Sequence, residues 1–233
     1  MCIDKEDALW MEWERRRLNF YYQTQKKTAG KRVNDAGYEV MRKMDLDGMR
    51  VLEIGPGDIQ HSRFWKGRPS QLVLVDVQEE MLRRSCARLD EAGICHEAVL
   101  VSREENTLPF APSSFDVILS FYCFEHIQPL EPAVDDLVRV LRPGGIIAGA
   151  IPAEGGLAWG GGRFMTSRRW LKNNTDIDPD KIICWEHPNY AETILSALDA
   201  RLERRHLSYW PLILPSIDLN LVVRFIYEKH DYA

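Results

Sequence analysis

Hydrophobic residues along the chain follow two different periods, and each period predicts its own kind of element. Short runs that are mostly apolar predict strands, and those that are apolar throughout predict strands covered on both faces of a sheet. The five runs are RVLEIG (50–55), QLVLVD (71–76), HEAVLVS (96–102), FDVILSFY (115–122) and IIAGAIP (146–152). Segments with apolar residues at helical spacing lie between and around these runs. This alternation of strands and helices favours an α/β fold with a mainly parallel sheet.

Apolar residues at helical spacing predict five helices, together with a short helix or turn at 58–66. The five lie at 5–22, 32–44, 78–92, 130–141 and 188–202. The fourth is expected to end at Pro143-Gly144-Gly145, because proline and glycine break helices there. After the fifth helix, RRHLSYW and LNLVVRFIYEK predict two more strands joined by the loop PLILPSID.

The pattern also suggests how the chain is organised. Residues 1–45 are predicted to form an N-terminal helical cap, and 46–233 to form the main domain. Within it, 153–188 has a glycine-rich start and no clean period, so it is interpreted as a lid or substrate insertion beyond the sheet's carboxyl edge. Its tryptophans would form either an aromatic wall for a substrate or the core of a small lid.

Composition narrows the classes of partner. The net charge of −5 and pI near 5.7 give no electrostatic case for nucleic acid, and local basic clusters are typical of solvated helix faces or of a rim for an anionic substrate. Five scattered cysteines without a C-x-x-C pair indicate a reducing compartment and disfavour a zinc or other metal site. No apolar leader or membrane-spanning run is present, so a cytoplasmic protein without a membrane partner is expected.

The stretch VLEIGPG carries the first candidate chemistry. A predicted strand containing Glu53 runs into the tight turn Gly55-Pro56-Gly57, and Asp76 ends the next strand. Ligands of doubly wound sheets lie at the carboxyl ends of the strands, and an acid roughly 20 residues beyond the turn can accept bonds from ribose hydroxyls. This pair predicts a nucleotide site; the alternative is a simple strand–helix turn and a surface aspartate.

Spacing separates two nucleotide classes. The dinucleotide pattern G-x-G-x-x-G has its last glycine where this chain has Gln60, and Glu53 would repel a pyrophosphate. A nucleoside without phosphates and with a cationic centre suits the site better. S-adenosylmethionine (SAM) is such a ligand.

With these motifs, residues from about 50 to 152 resemble a class I SAM-dependent methyltransferase. VLEIGPG resembles the family's first motif and LVLVDV its second. ENTLPFAPSSFDVILS resembles the adenine-binding turn and fourth strand, and EHI followed by LVRVLRPGG resembles the helix before the fifth. The resemblance implies a Rossmann-like, mainly parallel seven-stranded sheet with helices on both faces and an antiparallel last strand.

The resemblance also implies a set of cofactor contacts. Gly55 and Gly57 would pass under the methionine part of SAM, Asp76 would hold the ribose, and the glutamates after the third strand would lie near the adenine amino group. The full implied set is Glu53, Gly55, Pro56, Gly57, Asp76, Val77, Glu104, Glu105, Ser120 and Phe121. Two positions depart from the family: Ile59 stands where a third glycine is common, and Arg103 where smaller residues are usual.

Candidate catalytic residues follow the fourth strand and end the insertion. His126 and its neighbour Glu125 lie next to the expected methyl site, and His187 could face the acceptor. A hydroxyl acceptor benefits from a base with a pKa near working pH, and histidine is the usual choice. The alternatives are a pocket buttress for Glu125-His126 and a helix-entry cap for His187. Tyr21 and Tyr22 would fold over the cofactor or pack in the core.

These residues predict a SAM-dependent methyltransferase acting on a small molecule. O-methylation is slightly favoured over N-methylation, and a sugar or sugar nucleotide is the preferred acceptor. The competing hypotheses are an NAD-dependent oxidoreductase, a SAM-binding protein without catalysis, and an aminopropyl transferase; SFYCFEHI lacks the Asp-rich pattern of the last.

Overall fold

A computed structural model describes residues 8–20, 28–102 and 107–231 and confirms the predicted α/β class. The strands are β1 (Arg50–Ile54), β2 (Gln71–Asp76), β3 (His96–Leu100), β4 (Phe115–Phe121), β5 (Leu141–Pro152), β6 (Glu203–Trp210) and β7 (Val222–Glu228). They form one seven-stranded sheet in the order β3-β2-β1-β4-β5-β7-β6. The first five strands pair in parallel and β7 is antiparallel to both its neighbours, as predicted.

Helices connect and cover the strands. They are α1 (Ala8–Phe20), α2 (Thr28–Tyr38), α3 (Glu79–Glu91), α4 (Leu130–Val140), α5 (Leu157–Met165), α6 (Ser167–Asn174), α7 (Pro179–Glu186) and α8 (Ala191–Asp199). Short 3₁₀ helices cover Glu39–Lys43, Gln60–Phe64 and Phe124–His126. No helix in these described ranges is long and apolar enough to cross a membrane.

Two elements differ in an informative way from the sequence prediction. The helix expected at 32–44 begins earlier, ends at Tyr38 and continues as the Glu39–Lys43 3₁₀ turn. Strand β5 begins at Leu141, which pairs with Phe115 before the register shifts, so Pro143-Gly144-Gly145 lies inside an irregular strand. The helix before it nevertheless ends at Val140, close to the predicted stop.

Strand residues alternate between two cores, one on each face of the sheet. On one face, Leu52 and Ile118 pack with residues of α4 and α8. On the other face, Val51 and Leu119 pack with Met41 and with residues of α3. Because both faces are buried, the edge formed by the carboxyl ends of β1, β2, β4 and β5 is the natural place for a ligand.

The predicted insertion is helical. Helices α5 to α7 occupy 157–186, and the segment 154–191 that contains them will be called the lid. Helix α1 packs on it: Trp10 meets Trp185 edge to face at 5.6 Å, and Trp13 Nε1 donates to Glu186 Oε1 at 2.6 Å. The tryptophans of the lid therefore contribute, at least at Trp185, to the core between the lid and α1.

A close approach fixes β5 against β4. Gly149 pairs with Ser120, and a Cβ at this glycine would lie 1.7 Å from the Ser120 carbonyl oxygen. Only glycine fits, and the approach draws the carboxyl ends of the two strands together.

We expect Gly149→Ala to lower the free energy of unfolding by about 3 kcal/mol, because an added methyl group would force the two backbones apart. Urea unfolding followed by circular dichroism measures the loss. Gly160→Ala is the matched control, since a Cβ there meets nothing within 4 Å. Equal stability of the two variants would show that the close approach does not constrain the sheet.

Candidate active site at the carboxyl edge of the sheet

The glycine turn follows β1 and lies under the loop that follows β4. Gly55 and Gly57 have φ values of +61° and +58°, a region that glycine enters without steric cost. A Cβ at Gly55 would lie 2.5 Å from Cys123 Sγ, so glycine is needed here for Cys123 to pack against the turn. Ser85 Oγ donates to the Gly57 carbonyl at 3.0 Å, which ties the turn to α3.

Ile59 adopts the left-handed conformation that a glycine would normally hold. Its φ and ψ are 36° and 53°, and its side chain is buried. A bulky non-glycine residue held there costs on the order of 1 to 3 kcal/mol, which surrounding packing must offset. Ile59 thus holds a left-handed backbone conformation at the position where the family commonly has a third glycine.

A buried network lies beneath the turn. Trp65 Nε1 donates to His61 Nδ1 at 2.9 Å, so the ring proton of a neutral His61 is on Nε2, which donates to Glu53 Oε1 at 2.6 Å. Glu53 Oε2 is buried and has no hydrogen-bond partner within the described part of the chain. An unpaired buried carboxylate oxygen fits a ligand that brings a cationic or donor group.

The remaining predicted cofactor residues lie along the same edge. Asp76 ends β2, where its Oδ1 accepts from the Gln78 amide at 2.9 Å, and Val77 beside it is 38% exposed. Ser120 is buried with no partner for Oγ among the described residues, and the Phe121 ring lies 4.8 Å from that of His61. Glu104, Glu105, Tyr21 and Tyr22 lie outside the described residues.

These groups fit an adenosyl ligand. The edge provides a carboxylate for ribose hydroxyls, an exposed apolar side chain for a base, a bare glycine backbone and an unpaired acid. SAM carries a matching group for each of them.

An acid–histidine cluster adjoins this edge. His126 Nε2 lies 4.0 Å from Glu125 Oε1, and its ring centroid lies 4.5 Å from that of His187. His187 Nδ1 lies 2.9 Å from Glu154 Oε2, and Arg163 Nη2 lies 3.1 Å from the same oxygen. The three residues predicted as catalytic are thus brought together, joined by Glu154 and Arg163.

The loop after β4 is fastened to the end of the lid. The buried Asn189 side chain donates to the carbonyls of Phe124 at 2.9 Å and Ile127 at 2.6 Å. The Ala191 amide donates to the Glu154 carbonyl at 3.1 Å, so the two ends of the lid segment also meet. His187 does not cap helix α8, which begins at Ala191 with Tyr190 as its cap position.

Burial sets the protonation states of the cluster. Desolvation, reinforced by the nearby Glu154 charge, raises the pKa of Glu125 to about 8. Desolvation also raises the pKa of Glu154, against the opposing charge of Arg163. Burial lowers the pKa of His187 well below its usual range, with the nearby His126 and Arg163 acting in the same sense. At neutral pH, Glu125 is therefore mostly protonated and His187 neutral.

His126 has an orientation suited to a base. Its Nδ1 lies 2.6 Å from the Glu186 carbonyl oxygen, which can only accept, so Nδ1 carries the proton of the neutral ring. The lone pair is then on Nε2. The side chain is 44% exposed, which leaves it open to an acceptor.

Sequence reasoning missed Glu154, Arg163 and Asn189. Glu154 follows the end of β5 by two residues, and its place at a strand's carboxyl end was a usable signal. Arg163 follows a run of three glycines, and no local pattern marks it as a site residue. Asn189 acts through contacts with residues more than 60 positions away.

The sheet order and the glycine turn define the Rossmann-like fold of class I methyltransferases. Residues 52–149 match the family described as methyltransferase domain, which agrees with the predicted resemblance. The match implies S-adenosylmethionine as the cofactor, also as predicted.

Curated relatives share the central part of the chain. The ubiquinone/menaquinone biosynthesis C-methyltransferase UbiE of Azotobacter vinelandii is 34% identical over 102 residues, and its counterpart in Yersinia enterocolitica is 33% identical. Each match covers 42% of this chain and 40% of the relative. The chain therefore aligns with well under half the length of these relatives.

Solved structures extend the likeness of fold over most of the chain. A SAM-dependent methyltransferase from Aquifex aeolicus has a TM-score of 0.53 at 17% identity, covering 82% of this chain and 88% of its own. The PH0226 protein from Pyrococcus horikoshii has a TM-score of 0.62 at 16% identity, covering 93% and 98%. At such identities the likeness concerns the fold alone.

The raised pKa of Glu125 predicts a pH-dependent stability. Between about pH 5 and 8 the folded chain holds a proton that the unfolded chain has released, so Glu125 makes stability fall by about 1.4 kcal/mol per pH unit. We expect Glu125→Gln to remove this contribution. The unfolding free energy of the variant minus that of the wild type should therefore increase with pH, as measured by urea titrations. A difference independent of pH would mean that Glu125 is ionised in the folded protein.

Proposed function

We propose that this protein is a SAM-dependent methyltransferase that methylates a hydroxyl group of a small-molecule acceptor. The observation that carries the proposal is that one edge of the sheet holds both the glycine turn with Asp76 and the cluster around His126. A cofactor site and a base for the acceptor are therefore adjacent.

The cofactor half is assigned to the residues predicted from the sequence. Asp76 would hold the ribose, Val77 the adenine, and the Gly55–Gly57 turn with Glu53 the methionine part. Ser120 and Phe121 would line the cofactor, and Glu104 or Glu105 would meet the adenine amino group. When bound, SAM supplies an electrophilic methyl group on a sulfonium centre.

His126 would act as the base. Its Nε2 lone pair would accept the proton of the acceptor hydroxyl, while Nδ1–H remains bonded to the Glu186 carbonyl. The resulting imidazolium would lie 4.0 Å from Glu125 Oε1, where its positive charge would favour ionisation of that carboxyl group. His187, neutral and packed on His126, would keep the ring in position.

The acceptor would be enclosed by residues outside the family match. That match ends at residue 149, before the lid, so it does not cover the residues that would enclose the acceptor. We place the acceptor between the N-terminal cap (1–45) and the lid insertion (153–188), and retain O-methylation of a sugar or sugar nucleotide as the preferred reaction. The second candidate is C-methylation of a compound in quinone biosynthesis, which is what the name of the relatives states for them; a phenol serves as its test compound.

We expect Asp76→Ala to weaken binding of SAM and S-adenosylhomocysteine at least tenfold, because the ribose loses its carboxylate partner. Isothermal titration calorimetry measures both affinities, with Asp90→Ala on the exposed surface of α3 as the control. Binding of NADH alone by the wild type would contradict the proposal and support a dehydrogenase. Binding of SAM without turnover on any sugar, sugar nucleotide or phenol would support a SAM-binding protein without catalysis.

We expect His126→Gln to lower kcat about 100-fold or more, the usual effect of removing a general base, with an unchanged affinity for S-adenosylhomocysteine. The pH profile is the sharper measurement, because the rise of kcat/KM with pH in the wild type should disappear in the variant. His206→Gln, in strand β6, is the matched control. A variant with normal kcat and the same pH profile would exclude His126 as the base.

A further inference from the structure

Two polar atoms of the acid–histidine cluster are buried without a hydrogen-bond partner in the described ranges. They are Arg163 Nη1, on the lid, and Glu125 Oε2, in the loop after β4. Only 2% of Glu125 is exposed, and the positive charge of Arg163 is near enough to act against the rise in the pKa of its carboxyl group. A buried polar atom without a partner is costly, so a ligand that pairs both atoms is favoured.

The charges of the cluster disfavour an anionic ligand. Arg163 Nη2 already lies 3.1 Å from Glu154 Oε2, so its positive charge is balanced. Glu186 lies close enough to act on Arg163 as well, and its Oε1 accepts from Trp13. A carboxylate or phosphate entering here would meet two acids for one arginine.

A plain apolar ligand is disfavoured for a different reason. It would exclude water from Arg163 Nη1 and Glu125 Oε2 while offering neither a partner. A hydroxyl group, in contrast, both accepts and donates. Two hydroxyl groups on one ligand would satisfy an arginine donor and a carboxyl group together.

An aromatic ring completes the arrangement. Trp159 Nε1 donates to Glu154 Oε2 at 2.8 Å, and the Arg163 guanidinium carbon lies 5.7 Å from the Trp159 ring centroid. The indole is half-buried and held by the same acid that pairs with Arg163. Tryptophan faces pack well against the apolar face of a sugar ring.

We propose that Arg163, Glu125 and Trp159 form a polyol-binding subsite, which holds the hydroxyl groups of a neutral pyranose-type acceptor beside His126. Arg163 Nη1 donates to one sugar oxygen, and the Glu125 carboxyl pairs with a second hydroxyl group. The inference rests on the proposed methyltransferase function and names its acceptor class. Arg163 is then the residue that determines specificity for sugars.

Calorimetry of the full chain saturated with S-adenosylhomocysteine tests the subsite. The probes are the methyl pyranosides of glucose, galactose, mannose and 6-deoxymannose, with catechol and benzoate as the phenolic and anionic alternatives. We expect at least one pyranoside to bind more tightly than catechol and benzoate. Arg163→Lys keeps the charge but removes the Nη1 donor, and should weaken that binding at least tenfold without changing the S-adenosylhomocysteine affinity. Arg169→Lys, on the exposed surface of the lid, is the matched control and should bind like the wild type.

A second variant keeps the proposal testable if Arg163→Lys does not fold. Glu125→Leu removes the other unpaired atom with a residue suited to burial, and should weaken the same pyranoside at least tenfold. The proposal is overturned if catechol or benzoate binds more tightly than every pyranoside, or if pyranoside binding survives in both variants. Failure of the wild type to bind S-adenosylhomocysteine would instead count against the proposed function.

Discussion

The buried amide of Asn189 is the contact that holds the loop after β4 to the end of the lid. It satisfies two backbone carbonyls of the loop after β4, at Phe124 and Ile127, and that loop carries Glu125 and His126. Buried carbonyls without a donor are costly, so the loop and the end of the lid hold each other in one arrangement. His187 comes beside His126 as a result, although they are 61 positions apart in the chain.

The cofactor side is held by backbone conformations that side chains rarely adopt. Tyr122 follows β4 with a φ of +55°, and its hydroxyl donates to the Val33 carbonyl of α2 at 2.7 Å. This sharp turn brings Cys123 against Gly55, while Ile59 holds its own left-handed conformation nearby. Such strain tends to gather at functional sites, where surrounding packing maintains it.

The sheet was predictable because its signals are local. QLVLVD reads as a strand covered on both faces, and β2 has those bounds. The glycine turn and Asp76 were found by their spacing, which places them at the carboxyl ends of two neighbouring strands. The lid was harder, because helix α5 contains three successive glycines, which are poor helix formers. Its neighbours α6 and α7 gain their stability partly from Trp10 and Trp13, more than 150 positions earlier, so no local window of sequence predicts them.

Contacts between residues far apart in the sequence also limited prediction of the site. Glu125, His126 and His187 were singled out by chemistry, and the structure brings them together. The partners Glu154 and Arg163 were missed because their roles exist only once the ends of the lid have met. The shifted pKa of Glu125 has a similar origin, since burial by distant segments cannot be estimated from its neighbours in sequence.

The meeting of the two lid ends, at the amide of Ala191 and the carbonyl of Glu154, has an evolutionary consequence. Because its two ends lie together, such a segment can be replaced by another of different length or sequence without displacing the strands on either side. Under the proposed assignment of the acceptor site, acceptor preference can therefore change by replacement of one contiguous stretch, while the glycine turn and Asp76 stay as they are. The hydrogen bond from Trp13 to Glu186 adds a condition. A replacement segment must keep a carboxylate at this position, or helix α1 must change with it.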